Sequence, residues 1–214
     1  MATLAVLVLG CARDASAQHN TIAVSAVAGS VGSALLVQGV DEQGTGLWYG
    51  GRLDFRFGPV VGEASGLKGT LAPAAGTTGF ESDGGEIRAV AGFQALPWLA
   101  LEGSYDTRAF DSPAGYQKWT VTGAGAKLSS MLGTPSLHGY LRLHYLFGVS
   151  VTGQEKPDLA VAVEGGLDIA PPTSALRLGV FYRLERFDFP NGTRLEHFDM
   201  LGVRLGFAPL RAQR

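Results

Sequence analysis

The chain has 214 residues, of which 31 are Gly, about twice the usual share, while charged residues make up 17% and apolar residues 46%. The formal net charge is -2 and the single Cys is Cys11. These values exclude a disordered chain, a disulfide framework, a Cys-based zinc centre, a collagen-like repeat and a basic nucleic-acid-binding surface.

The first segment reads MATLAVLVLGCARDASAQ. Leu4 to Leu9 form an apolar stretch, and Ala15-Ser16-Ala17 is a small-residue cleavage pattern. Residues 1–17 therefore read as a secretory signal peptide, with cleavage before Gln18 and one domain over residues 18–214. An alternative reading takes Val8-Leu9-Gly10-Cys11 as a lipobox, with Cys11 lipidated.

Beyond the leader the apolar period is two, the repeat of a strand whose side chains alternate between faces. The expected strands are 21–40, 47–57, 60–71, 86–94, 98–110, 118–128, 136–147, 159–169, 174–187 and 194–207. In the second, Leu47, Tyr49, Gly51, Leu53, Phe55 and Phe57 share one face, and Trp48, Gly50, Arg52, Asp54 and Arg56 the other. In the fourth, Ile87, Ala89, Ala91 and Phe93 oppose Glu86, Arg88 and Gln94. In the fifth, Leu99, Leu101 and Tyr105 oppose Glu102, Ser104, Asp106 and Arg108. In the seventh, Leu137, Leu141, Leu143, Tyr145 and Phe147 oppose His138, Arg142 and His144. Glu164 and Asp168 lie opposite the apolar face of 159–169. Arg177, Arg183 and Glu185 do so in 174–187, and Arg204 in 194–207. Segments 60–71 and 118–128 are Gly/Ala-rich and alternate weakly, and dropping 21–40 and 60–71 leaves an eight-strand alternative. Asp41–Gly46, Ala72–Gly85, Asp111–Gln117, Gly148–Asp158 and Asp188–Thr193 read as longer loops. Gly58-Pro59, Ala95–Pro97, Ser129–Pro135 and Ala170–Thr173 read as short turns on the opposite side.

Alternation alone fits a soluble sheet or a lipocalin-like barrel as well as a membrane barrel. Three features favour apolar residues facing lipid. The strands run about 9–14 residues, enough for a tilted crossing and longer than the usual soluble strand. Aromatics gather at strand ends: Phe57, Phe93, Trp98 and Phe207 by the short turns, and Tyr49, Tyr105, Phe110, Trp119, Tyr145, Phe147 and Phe187 towards the loops, where two interfacial belts are expected. Opposite charges also run along the middle of the polar face. Arg52, Asp54, Arg56, Glu86, Arg88, Glu102, Asp106, Arg108, Arg142, Glu164, Asp168, Arg177, Arg183, Glu185 and Arg204 are nearly balanced in sign. In a narrow lumen they must pair, because an isolated buried charge costs several kcal/mol.

This pattern of leader, alternating strands, short turns on one side and a last strand ending in Phe207 resembles the small outer-membrane β-barrel proteins of Gram-negative bacteria. The resemblance implies an all-β closed antiparallel transmembrane barrel with ten strands and both termini on the periplasmic side. It also implies location in the bacterial outer membrane, contact with outer-membrane lipids, and insertion by barrel-assembly machinery that reads a C-terminal aromatic. Here Phe207 is followed by Ala208–Arg214, a departure from a strictly terminal aromatic.

Catalytic motifs are sparse. The sequence has no Walker A, G-x-S-x-G or H-E-x-x-H pattern. His197 and Asp199, two apart on one strand face, give the rim arrangement of omptin-type proteases a hearing. His138 and His144 lie ~20 Å apart along one strand and cannot share a metal ion without other ligands. The expectation is a non-enzymatic barrel without cofactor or nucleic-acid partner, which organises the envelope or presents loops to other envelope proteins. A narrow channel for ions or small solutes and a soluble lipocalin-like binder are the alternatives.

Overall fold

The computed structural model describes residues 20–37, 40–75, 77, 80–113, 115–171, 174–192 and 194–208. The expected signal segment and Cys11 lie outside them. The alternating segments form ten strands: β1 Thr21–Val37, β2 Val40–Phe57, β3 Val60–Pro73, β4 Ser82–Leu96, β5 Leu99–Ser112, β6 Gly115–Leu132, β7 Thr134–Val151, β8 Leu159–Ile169, β9 Leu176–Asp188 and β10 Arg194–Phe207. Each pairs antiparallel with its chain neighbours, and β10 pairs with β1 from Val24↔Phe207 to Val37↔Arg194, which closes the barrel. Closure satisfies every strand edge, the condition for a sheet to cross lipid. Ten strands are thus observed, including β1 and β3 in the segments whose omission gave the eight-strand alternative; β1 ends at Val37, and Val40 already belongs to β2.

Several expected connections are strand instead. Asp41–Gly46 belongs to β2, paired from Leu36↔Asp41 to Val31↔Gly46. Its Gly and polar residues read as loop, but ladder pairing uses only the backbone, and Gly46 is required there: a β-carbon would collide with the Thr70 carbonyl oxygen. Likewise β5 and β6 run to Ser112 and from Gly115. At the other end, β6 and β7 reach Leu132 and Thr134, turning on Gly133 at φ 75°. The alternation of loop lengths is accordingly only partial. The strand bounds leave eight, seven and five residues at 74–81, 152–158 and 189–193, but only two after β1 and two after β5.

The wall is apolar outside. Leu47, Ile87, Leu101, Leu143, Phe147, Leu201 and Phe207 are among the large side chains that point outward and are exposed. Arg88, Arg108, Arg142, Glu164 and Arg183 are buried within. This inverts the lipocalin arrangement, in which the apolar face is the interior. β8 has 11 residues, the length of one crossing, whereas β2, β6 and β7 have 18 each and carry the wall beyond the apolar band. Among the described residues no helix is long and apolar enough to cross a membrane. The crossing is made by strands.

The outward apolar face yields a discriminating prediction. Leu143 is 49% exposed. In a soluble barrel an Arg at such a position would be nearly neutral. Facing lipid at mid-strand, Leu143→Arg is expected to destabilise the barrel by about 2–4 kcal/mol. The check is the urea midpoint of the folded protein in phospholipid bilayers.

Candidate functional site in the barrel lumen

The lumen is filled in tiers, each built by strand parity. Near the short turns, Arg204 donates to Asp168 at 2.8 and 2.5 Å, and Arg56 donates to Gln94 at 2.9 Å. The Arg204 guanidinium and the Lys127 ammonium both lie over the Tyr140 ring, at 5.3 and 4.9 Å from its centre.

The middle tier turns on Arg142. From β7 it reaches Glu63 on β3 at 2.7 Å, Glu102 on β5 at 2.6 Å and Glu164 on β8 at 3.1 Å. Arg52 adds bonds to Glu63 and Asp54, and Arg88 on β4 bonds Glu164 at 2.8 Å across the barrel. Tyr140 donates to Glu164 at 2.9 Å. His144 stands between Ser104 Oγ, 3.0 Å from its Nδ1, and Glu102, 3.4 Å from its Nε2. Glu102 is at the same time the partner of Arg142, so this Ser–His–Glu contact is part of the network.

The tier above joins β4, β5 and β9. Arg183 donates in bidentate fashion to Glu86 at 2.8 and 2.6 Å, and Arg108 bonds Glu185 at 2.7 Å and Glu86 at 3.1 Å. The Arg108 guanidinium is 3.8 Å from the centre of the Phe198 ring. An apolar plug lies above it. Trp48 packs on Phe198 and Phe110 at 5.7 and 6.0 Å between ring centres, and Trp119 packs on Phe187 at 4.9 Å. Val149 and Val151 join the plug because β7 bulges at Phe147, where Thr122 pairs with Gly148 but Gly123 with Leu146. The extra residue reverses the in–out parity of β7.

Of the fifteen residues expected to line the lumen, thirteen take part in these tiers, and Asp106, buried on β5, is described below. Arg177 is exposed at the short-turn end of β9. Sequence reading missed Glu63, Lys127 and Tyr140. Glu63 and Lys127 sit in strands whose Gly/Ala content hid their parity, but Tyr140 is two residues before Arg142 and shares its face. The belt assignment needs correction for three aromatics. Tyr49, Tyr105, Tyr145 and Phe147 do face outward on the loop side, and Phe57, Phe93 and Phe207 on the other. Trp119 and Phe187 are buried inside, and Phe110 packs against both apolar clusters of the plug. His197 and Asp199 face away from the lumen, because Phe198 and Met200 between and beside them are the buried positions. The Asp199 carboxylate lies over Gly32 of β1, so the pair is not arranged around the barrel mouth. His138 stays at the short-turn end, 3.0 Å from the Pro135 carbonyl oxygen, separate from His144.

No family model and no curated protein matches the sequence. Solved structures similar to it are outer-membrane barrels. Neisserial surface protein A is 13% identical, with a TM-score of 0.37 over 87% of this chain and 98% of that one. The translocator domain of the autotransporter NalP from Neisseria meningitidis is 15% identical, with a TM-score of 0.42 over 91% and 90%. An anion-selective porin from Comamonas acidovorans is 14% identical, with a TM-score of 0.37 over 78% of this chain and 55% of that one. Identities this low concern fold alone. The ten-strand closure, apolar exterior and charged interior are the architecture of a bacterial outer-membrane β-barrel.

Proposed function

We propose that this protein is a non-catalytic outer-membrane barrel with a closed lumen, a rigid wall that presents its loop-side surface to other envelope components. Its lipid contacts and its insertion by barrel-assembly machinery belong to the same reading. The observation that carries it is the set of ties across the lumen. Arg142 links β7 to β3, β5 and β8, Arg88 links β4 to β8, and Arg183 and Arg108 link β4 and β5 to β9. These charge pairs across the bore, with the Trp48 and Trp119 clusters packed on the loop side, are what supports a lumen without a continuous aqueous path. Purified protein reconstituted in planar bilayers is expected to show no sustained openings at mildly acidic to neutral pH. A steady ohmic conductance under those conditions would replace this reading with that of a narrow channel.

A further inference from the structure

One buried carboxylate in the lumen is left over. The tier on β4, β5 and β9 holds three carboxylates, Glu86, Asp106 and Glu185, against two guanidiniums, Arg108 and Arg183. Asp106 is 5% exposed, and neither of its oxygens accepts a hydrogen bond. Its cationic contact is Arg108 Nη2 at 3.6 Å, and that nitrogen already serves Glu185 at 2.7 Å and Glu86 at 3.1 Å. A buried carboxylate whose ion pair is long and shared in this way is poorly compensated. A proton is the cation that would neutralise Asp106 without moving a side chain.

A second observation shows what the proton would control. Asp106 on β5 is directly opposite Arg88 on β4 in the ladder. Cross-strand neighbours of opposite charge ordinarily pair. Arg88 instead reaches across the bore to Glu164 on β8 at 2.8 Å. Around Asp106, β6 offers the apolar Val121, and Glu86, Glu185, Arg108 and Arg183 are joined in ion pairs that leave the Nε atoms of Arg108 and Arg183 without an acceptor. His144 on β7 is held by Ser104 and Glu102.

We propose that Asp106 is a proton switch for the lumen: neutral, it leaves Arg88 tied to Glu164 across the barrel, and ionised, it draws Arg88 back to the β4–β5 wall and releases that tie. The switch rests on the closed-lumen reading and adds its control. The sign follows directly. Low pH keeps the β4–β8 tie, and rising pH loosens it.

The test uses the folded chain in planar bilayers, with wild type, Asp106→Asn and Arg88→Gln compared from mildly acidic to mildly alkaline pH. Wild type is expected to be quiet at the acidic end. Its brief openings should then become more frequent by up to about tenfold per pH unit, the limit for release of one proton. Asp106→Asn should stay quiet throughout, and Arg88→Gln should open with no such pH dependence. Infrared spectra of the same samples should show the C=O stretch of a protonated carboxyl in wild type that Asp106→Asn lacks. Heat-modifiable gel migration confirms that each variant is folded. Wild type that is silent at every pH, or a titration unchanged in Asp106→Asn, would overturn the switch and leave the closed barrel standing. Steady conduction already at acidic pH would instead remove the closed barrel itself.

Discussion

Arg142→Ala is expected to destabilise the barrel by about 3–5 kcal/mol, the cost of removing one partner from a buried ionic network. The size of the effect comes from what is left behind. Arg142 is the shared donor for Glu63, Glu102 and Glu164, all of them buried. Glu63 and Glu164 keep Arg52 and Arg88 as second partners, but Glu102 is left with only the 3.4 Å contact to His144 among these bonds. Arg142→Lys should recover only part of the loss, because an ammonium lacks the planar fork that serves three carboxylates from one position. The measurement is the urea midpoint at which the compact, heat-modifiable species disappears. A midpoint equal to wild type for Arg142→Ala would mean that the mid-lumen network does not hold the barrel closed.

Trp48→Ala carries the second large effect, about 3–5 kcal/mol from lost burial and the cavity left behind. Trp48 is fully buried and packs between Phe110 and Phe198. Its ring is seated against two glycines. A β-carbon on Gly84 would collide with Trp48 Cζ2, and one on Gly69 with Cδ1. Gly84→Val should therefore destabilise from the opposite direction, by about 1–3 kcal/mol of overpacking. Trp48→Ala should also thin the plug on the loop side while leaving the charged tiers in place. Bilayer recordings of this variant are expected to stay closed at acidic pH, since the Arg142 and Arg88 ties still span the bore. Sustained openings would show that the apolar plug, and not the charge network, is the seal. Trp48→Phe, which refills most of the volume, should recover most of the stability.

Much of this architecture is legible in a single chain, and the failures are instructive. Where large apolar residues alternate with charges, as in 47–57 or 174–187, parity alone places each side chain inside or outside. Phe110 and Phe187 were also open to that logic. Phe110 follows Arg108 by two residues, and Phe187 follows Glu185 by two, so both share the inward face. Strand parity, not aromatic character, sets where they point, because a side chain's face is fixed by the backbone whatever its residue type. Trp119 was less accessible, since β6 around it is Gly/Ala-rich and gives no parity to read. Asp41–Gly46 was misread for a related reason: a polar, Gly-containing segment resembles a loop, yet beyond the lipid band a strand needs no apolar face.

The transmembrane strands, the apolar exterior and most of the lumen charges follow from the two-residue period and local composition, and so can be read along the chain. Only the closed barrel decided who meets whom. Arg88 and Glu164 are 76 residues apart, Arg108 and Glu185 77, and Arg183 and Glu86 97. No local pattern encodes such pairs. They exist because closing ten strands into a ring brings opposite walls within the reach of a guanidinium. The bulge at Phe147 and the leftover charge of Asp106 belong to the same level: the first is a register between β6 and β7, and the second is a balance of charge that can be counted only when β4, β5 and β9 surround one space.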